Sequence, residues 1–103
     1  MSKKIGVLIK EPGKKPRHVN ISCTLDNLQK TVGGYIETVS LETDLVVICD
    51  EEGRLKGKTH CCKVSGVDFG GTIIMCGKKD DEFDDLPVSW ESMKMMFPNM
   101  WEE

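Results

Sequence analysis

The chain has 103 residues, and at about 100–200 residues per domain this length predicts a single domain over residues 1–103. Hydrophobic residues make up 39 % of the sequence and charged residues 30 %, a composition typical of globular proteins. The formal net charge of −3 is too small to indicate a nucleic-acid-binding protein, and no apolar run approaches the about 20 residues of a transmembrane helix. These figures exclude a membrane span, a repeat array and a two-domain enzyme, and they make nucleic acid and membranes unexpected partners.

Alternating polar and apolar residues, together with turn-forming residues, predict the elements of the first half of the chain. Thr24 carries the hydroxyl that an N-cap needs, and Leu28 and Val32 lie on one face of the helix that follows. Gly33 and Gly34 close this helix, because glycine readily adopts positive φ there. The predicted elements are a strand over 4–10, a turn over 12–16, a strand over 17–22, a short helix over 25–32 and a strand over 35–41.

The second half begins with the most apolar run, Leu45–Cys49, which is typical of a central strand covered on both faces. The remaining predictions are a tight turn over 50–53, an irregular stretch over 54–63, a bend or bulge over 64–71, a strand over 72–76, a charged loop over 78–85 and an amphipathic helix over 89–97. Ser89 is the expected N-cap of that helix, and Pro98 ends it. The sequence therefore predicts an α+β fold, with a mainly antiparallel sheet of about five strands on which a short central helix and a C-terminal helix pack.

The five cysteines favour buried thiols over a metal site. There is no Cys-x-x-Cys pair, and the neighbours Cys61 and Cys62 would point to opposite faces of a strand even though His60 precedes them. Cys49 and Cys76 end apolar runs and are predicted to be small core residues. We expect no metal and no cofactor, and the absence of a recognisable catalytic motif predicts that the chain is not an enzyme.

The apolar run near the start of the chain, Ile5–Ile9, is shorter than the about 7–15 residues of a signal-peptide core, and no small-residue cleavage site follows it. We therefore expect a cytoplasmic protein whose thiols are kept reduced.

Charge is polarised along the chain. Residues 1–20 hold six basic residues and one acidic residue, whereas residues 80–103 hold eight acidic residues and one basic residue. One interpretation is that both ends are simply solvated. The other is that the basic residues of the first hairpin bind the phosphates of a nucleotide-like ligand, with an aromatic ring stacked on its base. The candidate ligand-binding residues are Lys14, Arg17, Gly34, Tyr35, Arg54 and Lys56.

The end of the chain is unusually rich in aromatic residues and methionine. Much of this apolar face is needed for the core of so small a domain, but any excess favours an interface with another chain. The candidate interface residues are Trp90, Met93, Phe97 and Trp101. A homo-oligomer is expected, because so short a chain leaves little room for a deep cleft and favours a site shared between subunits.

The run Val32-Gly33-Gly34-Tyr35-Ile36-Glu37 and the turn Glu51-Glu52-Gly53-x-Leu55, with Glu11-Pro12-Gly13-Lys14-Lys15-Pro16 before them, resemble the DUF3846 family of domains of unknown function. The resemblance covers nearly the whole chain, and it departs from many members at residues 57–62. Such proteins are encoded mainly by phages and mobile elements of Firmicutes and other gut bacteria, so the resemblance implies a phage or prophage protein in the cytosol of its bacterial host.

These observations lead to two functional hypotheses. The first is a phage- or prophage-encoded binding protein that counteracts host defence by sequestering a nucleotide-like signal. The alternative is a protein–protein inhibitor or assembly module of a phage or mobile element, which would bind a host protein through the C-terminal Trp/Met helix.

Overall fold

The structure, a computed structural model, describes residues 3–41, 44–53 and 57–101. Strands predominate and two α-helices pack on them, so the predicted α+β class is confirmed. None of the described helices has the length and apolar content needed to cross a membrane. The elements are β1 (Lys4–Lys10), β2 (Arg17–Ser22), α1 (Leu25–Val32), β3 (Ile36–Ser40), β4 (Leu45–Asp50), β5 (His60–Val64), β6 (Val67–Gly70), β7 (Ile73–Lys79), β8 (Glu82–Asp84), α2 (Trp90–Met96) and a final 3-10 helix, Pro98–Trp101.

The main sheet has the strand order β2-β1-β7-β4-β3, and all of its neighbouring strands are antiparallel. The short strand β8 pairs with the end of β7, and β5 and β6 form a separate hairpin. In the register of the main sheet, Lys10 lies opposite Ile73 and Ile36 lies opposite Asp50. The turn over 11–16 follows Lys10 and the end of α1 precedes Ile36, so both lie at the same end of the sheet. We call this end the hairpin end, and the opposite end the far end.

The main sheet is covered on both faces. Helix α1 packs on one face, where Leu28 and Val32 join an apolar cluster with residues of β1, β4 and β7. The β5–β6 hairpin and α2 cover the other face, where Phe69 and Met93 are buried with residues of the same three strands. This two-sided cover explains why β4 is buried along its whole length, as its unbroken apolar sequence predicts.

Both helix starts are capped as predicted. The Thr24 hydroxyl accepts a hydrogen bond from the Asn27 amide at 3.1 Å, and the Ser89 hydroxyl accepts one from the Ser92 amide at 3.1 Å. Gly33 ends α1 in the left-handed region with φ 82°. Each cap satisfies backbone groups that a short helix leaves open, so the local sequence fixes where these helices begin and where α1 ends.

Two sequence predictions were wrong, and both failed in polar segments. The stretch predicted as irregular contains β5 from His60 onward, with a β-bulge between His60 and Cys62. The predicted charged loop is the β7–β8 hairpin, whose turn residues Asp80 and Asp81 have φ 50° and 65°. Aspartate tolerates such a turn, and its exposed strands need no apolar residues, so polarity alone could not distinguish this hairpin from a loop.

Candidate functional site

The structure places four of the six candidate ligand residues at the hairpin end of the main sheet. Lys14 lies in the turn between β1 and β2, and Arg17 begins β2. Gly34 and Tyr35 connect α1 to β3. The other two, Arg54 and Lys56, lie outside the described residues.

A buried lysine holds the turn that carries Lys14. The side chain of Lys10 has no exposed surface, and its ammonium group donates hydrogen bonds to the carbonyl oxygens of Glu11, at 3.1 Å, and Lys14, at 2.5 Å. Bonds to a charged donor are stronger than ordinary ones and compensate part of the cost of burying it. Lys10 thereby fixes the turn and leaves the side chains of Lys14 and Lys15 exposed.

A second lysine lies at the end of α1. Lys58 Nζ is 2.6 Å from an Asp50 carboxylate oxygen, and it also donates hydrogen bonds to the carbonyl oxygens of Val32, at 2.8 Å, and Gly33, at 3.3 Å. The Asp50 side chain is only 1 % exposed, and its other oxygen accepts a hydrogen bond from the Glu52 amide. A cation is favoured at the C-terminal end of a helix, and the Lys58 ammonium group lies at that end of α1. Through these contacts the Lys58–Asp50 ion pair connects α1, β4 and the segment before β5.

The glycines of this region make room for the ion pair. A Cβ atom on Gly34 would lie 2.6 Å from an Asp50 carboxylate oxygen, and Cβ atoms on Gly33 and Gly71 would lie 2.9 and 2.8 Å from the Lys58 side chain. Such distances are well below van der Waals contact. The run Gly33-Gly34 therefore has a structural role whether or not a ligand approaches it.

Two surface clefts meet at Gly33. One, of about 480 Å³, lies beside the β1–β2 turn and is lined by Pro12, Lys58, Thr59 and Gly71 among others. The second, of about 430 Å³, is lined by Gln29, Tyr35 and Glu52 among others. Together the clefts form a surface of mixed polarity that leads from the basic turn to Tyr35.

The exposed groups along this surface differ in how freely they can bind a ligand. Lys14 and Lys15 are exposed in the turn, whereas the Arg17 guanidinium lies 3.5 Å from the Glu11 carboxylate. Tyr35 is 68 % exposed, which is unusual for so large a ring and leaves it open to stacking. Glu51 and Glu52 are exposed nearby and would repel an anion from the β3 side.

The predicted interface residues do not form one surface. Met93 is 0 % and Phe97 7 % exposed, so both belong to the core in this conformation. Trp90 and Trp101 are half-buried and make an edge-to-face contact with ring centroids 5.4 Å apart, and Trp90 makes a similar contact with His18 at 6.0 Å. The exposed large apolar side chains of α2 are instead Met95, 83 % exposed, and Met96, 44 % exposed.

None of the five cysteines forms a disulfide, and four of them are buried, as predicted. Burial raises the pKa of Cys49 to about 11 and that of Cys76 to about 12, because the thiolate would lose its hydration. The described residues contain no group of three or more His, Cys, Asp or Glu side chains that could hold a metal ion. Cys49 and Cys76 are therefore poor nucleophiles, and their environment is that of core residues.

Sequence reasoning missed Asp50 and Lys58, which organise this end of the fold. Neither residue gives a strong signal in the sequence. The predicted turn over 50–53 already accounts for an aspartate at position 50, and a lysine is ordinary in the polar stretch that contains Lys58. The unusual feature is the number of glycines, Gly33, Gly34 and Gly71, that surround the pair.

The comparisons with known proteins identify a family. No curated protein and no solved structure matches the chain. A family model, the domain of unknown function DUF3846, matches residues 3–98 of the 103 and so includes every element at the hairpin end of the sheet. The chain therefore belongs to the DUF3846 family.

Proposed function

We propose that this chain is a binding protein that holds an elongated, phosphorylated, nucleotide-like ligand across the hairpin end of the main sheet. The observation that carries the proposal is that the exposed turn lysines Lys14 and Lys15, two adjoining clefts and the exposed ring of Tyr35 all lie at the hairpin end of the sheet. In this arrangement the lysines bind phosphate and Tyr35 stacks on a base.

The strand order sets the length of the ligand. β1 and β3 are separated by β7 and β4, and at about 4.8 Å per strand spacing the two sides of the site are about 14 Å apart. A single phosphate ion is too short to reach both sides. A molecule that joins phosphates to a flat base suits this arrangement: the phosphates lie at one end in nucleoside polyphosphates and between two rings in cyclic dinucleotides and ADP-ribose derivatives.

Titration calorimetry with a panel of these three nucleotide classes tests the proposal. We expect at least one class to bind, and the double variant K14A/K15A to weaken that binding by at least about tenfold, since each lost charge-assisted contact contributes about 1.5–3 kcal/mol. The matched control is K78A/K79A, which removes two exposed lysines at the far end of β7. No heat with any class, or equal losses in both double variants, would contradict the proposal.

The biological role that we propose is counteraction of host defence by a phage or prophage protein in the bacterial cytosol, with the ligand sequestered rather than destroyed. It is supported by the family resemblance and by the fact that the described residues hold no group of three or more His, Cys, Asp or Glu side chains that could bind a metal ion. If the ligand is sequestered, the ligand that is released when the complex is heated should have the same mass as the ligand that was added. A hydrolysed ligand would indicate an enzyme instead.

A second candidate function is protein binding through α2, and the exposure of Met95 and Met96 favours it. Exposed methionines adapt to many partner surfaces and are frequent at interfaces. The double variant M95S/M96S should lose a stoichiometric host partner in affinity capture and keep the nucleotide affinity of the native chain. Trp101→Ala tests the half-buried Trp90–Trp101 contact separately.

A further inference from the structure

We propose that β3 is the interface between two copies of this chain, whose edge strands pair antiparallel about a twofold axis at Thr38. β3 is the last strand on its side of the main sheet, and no described strand pairs with its second edge. The proposal is independent of the ligand, because it concerns the strand edge and not the clefts at the hairpin end.

The hydrogen bonds at the two ends of β3 show which of its backbone groups point outward. The Leu41 amide donates to the Leu45 carbonyl and the Glu51 amide donates to the Tyr35 carbonyl, each at 2.9 Å. Bonded pairs in an antiparallel ladder recur at every second residue, so the odd-numbered residues of β3 bond to β4. The N–H and C=O groups of Ile36, Thr38 and Ser40 therefore point toward the open edge.

This outward set is symmetric about Thr38, which allows a second copy to satisfy it completely. Antiparallel pairing centred on Thr38 sets Thr38 opposite its own counterpart and Ile36 opposite Ser40 of the other copy, so that every outward N–H meets an outward C=O. Threonine opposite threonine is a favourable cross-strand pair. The only charged residue of β3, Glu37, lies opposite Val39 of the other copy, so no like charges face each other directly.

The edge is also accessible and lacks the usual protection against pairing. Thr38 and Ser40 are exposed on the face that α1 covers elsewhere, and a groove of about 520 Å³, lined by Glu37, Val39 and Phe69 among others, separates β3 from β6 on the other face. The strand contains no proline or lysine, and its register with β4 has no bulge. Its five residues form a small interface, so we expect a weak dimer with a dissociation constant on the order of tens of micromolar.

Sedimentation analysis of the ligand-free chain, from about 1 µM to 1 mM, tests the interface. The native chain should approach twice the monomer mass at the upper end of this range. Thr38→Lys and Thr38→Asp each place like charges across the axis and should abolish the dimer, while an equal mixture of the two variants should restore it through opposite charges. Thr38 is exposed, so both variants should retain the native circular dichroism and melting temperature.

The matched control is Asn20→Lys, which places a lysine on β2, the opposite edge strand of the same sheet. It should leave the dimer unchanged. A native chain that stays monomeric throughout, a dimer that survives both Thr38 variants, or a mixture of the variants that fails to associate would each overturn the proposal. An added extended peptide that binds the monomeric native chain would assign the edge to another partner instead.

Discussion

Two lysine–aspartate ion pairs lie at opposite ends of the main sheet and differ far more in burial than in length. Lys58 and Asp50 at the hairpin end are 2.6 Å apart, with side chains 24 % and 1 % exposed. Lys3 and Asp84 at the far end are 3.0 Å apart, with side chains 55 % and 32 % exposed. In water the attraction of the second pair is screened, whereas loss of either partner of the first leaves a charge in a poorly hydrated site.

This difference separates structural charges from those that can bind a ligand. Lys58 lines the cleft beside the basic turn, yet its three hydrogen-bond acceptors are all within the protein. The side chains of Lys14 and Lys15 are exposed to solvent. Lys10 stabilises the turn that carries them by donating a hydrogen bond to the Lys14 carbonyl oxygen. The exposed lysines should therefore determine ligand affinity, and Lys58 should determine stability.

The largest effect is expected for Lys58→Ala. Removing the ammonium group leaves the buried Asp50 carboxylate without its nearest cation and should lower the free energy of unfolding by about 3 kcal/mol. Urea denaturation measures this change, and Lys63→Ala, which removes an exposed lysine of β5, should change stability by less than about 0.5 kcal/mol. A loss below about 1 kcal/mol for Lys58→Ala would mean that the buried pair behaves as a surface pair.

The next effect concerns the glycine that lies over the carboxylate. Gly34→Ala should cost about 2 kcal/mol, because its Cβ atom would lie 2.6 Å from an Asp50 oxygen. Gly66→Ala is the control for backbone conformation, since Gly66 has φ 82° but no atom within 4 Å of its Cβ position, and it should cost about 1 kcal/mol.

A double variant separates the contact from other effects of Gly34. With Asp50→Ala in the background, Gly34→Ala should cost clearly less than it does alone, because the carboxylate that it would meet is gone. Equal costs in both backgrounds would assign the role of Gly34 to something other than the ion pair.

The buried thiols predict an effect that is absent at neutral pH and appears only at high pH. An unfolded thiol ionises near its ordinary pKa of 9.0, whereas burial raises the pKa of Cys76 to about 12, so the folded state retains a proton that the unfolded state loses. The stability that the protonated Cys76 thiol contributes is complete below pH 9 and is lost between pH 9 and pH 12. Over this range the free energy of unfolding falls by no more than about 1.4 kcal/mol per pH unit. Cys76→Ala should show a shallower decline over this window in urea denaturation, and parallel curves for the two proteins would contradict the assignment.

The fold was largely predictable because its patterns are local. The apolar run of β4, the Thr24 cap and the Gly33 end of α1 depend on neighbouring residues, and the structure confirms all three. The β7–β8 hairpin and β5 were missed, since they are held by long-range pairing and by aspartates in left-handed turns, which composition does not reveal. Tertiary context overrides weak local preference in such segments.

The candidate site was less predictable than the fold. Tyr35 and Lys14 are exposed, as a ligand role requires, but sequence alone could not show that Lys58 reaches back across Gly71 and Gly33 to Asp50. Within the helix predicted to be amphipathic, Met93 is buried whereas Met96 is 44 % exposed. A short helix at the edge of a small core leaves part of its apolar face in solvent, and its position in the fold decides which part.

The smallest effect is expected for Asp84→Asn at the far end. The pKa of Asp84 is lowered first by a hydrogen bond from the Asp85 amide and then by Lys3, so any stability from this carboxylate is present above its ordinary pKa of 3.8 and is lost as the pH falls through the lowered value. Because both partners are exposed, the urea midpoint at neutral pH should not change measurably, with or without added salt. A loss comparable to that of Lys58→Ala would show that the position of an ion pair in the sheet, and not its burial, sets its contribution.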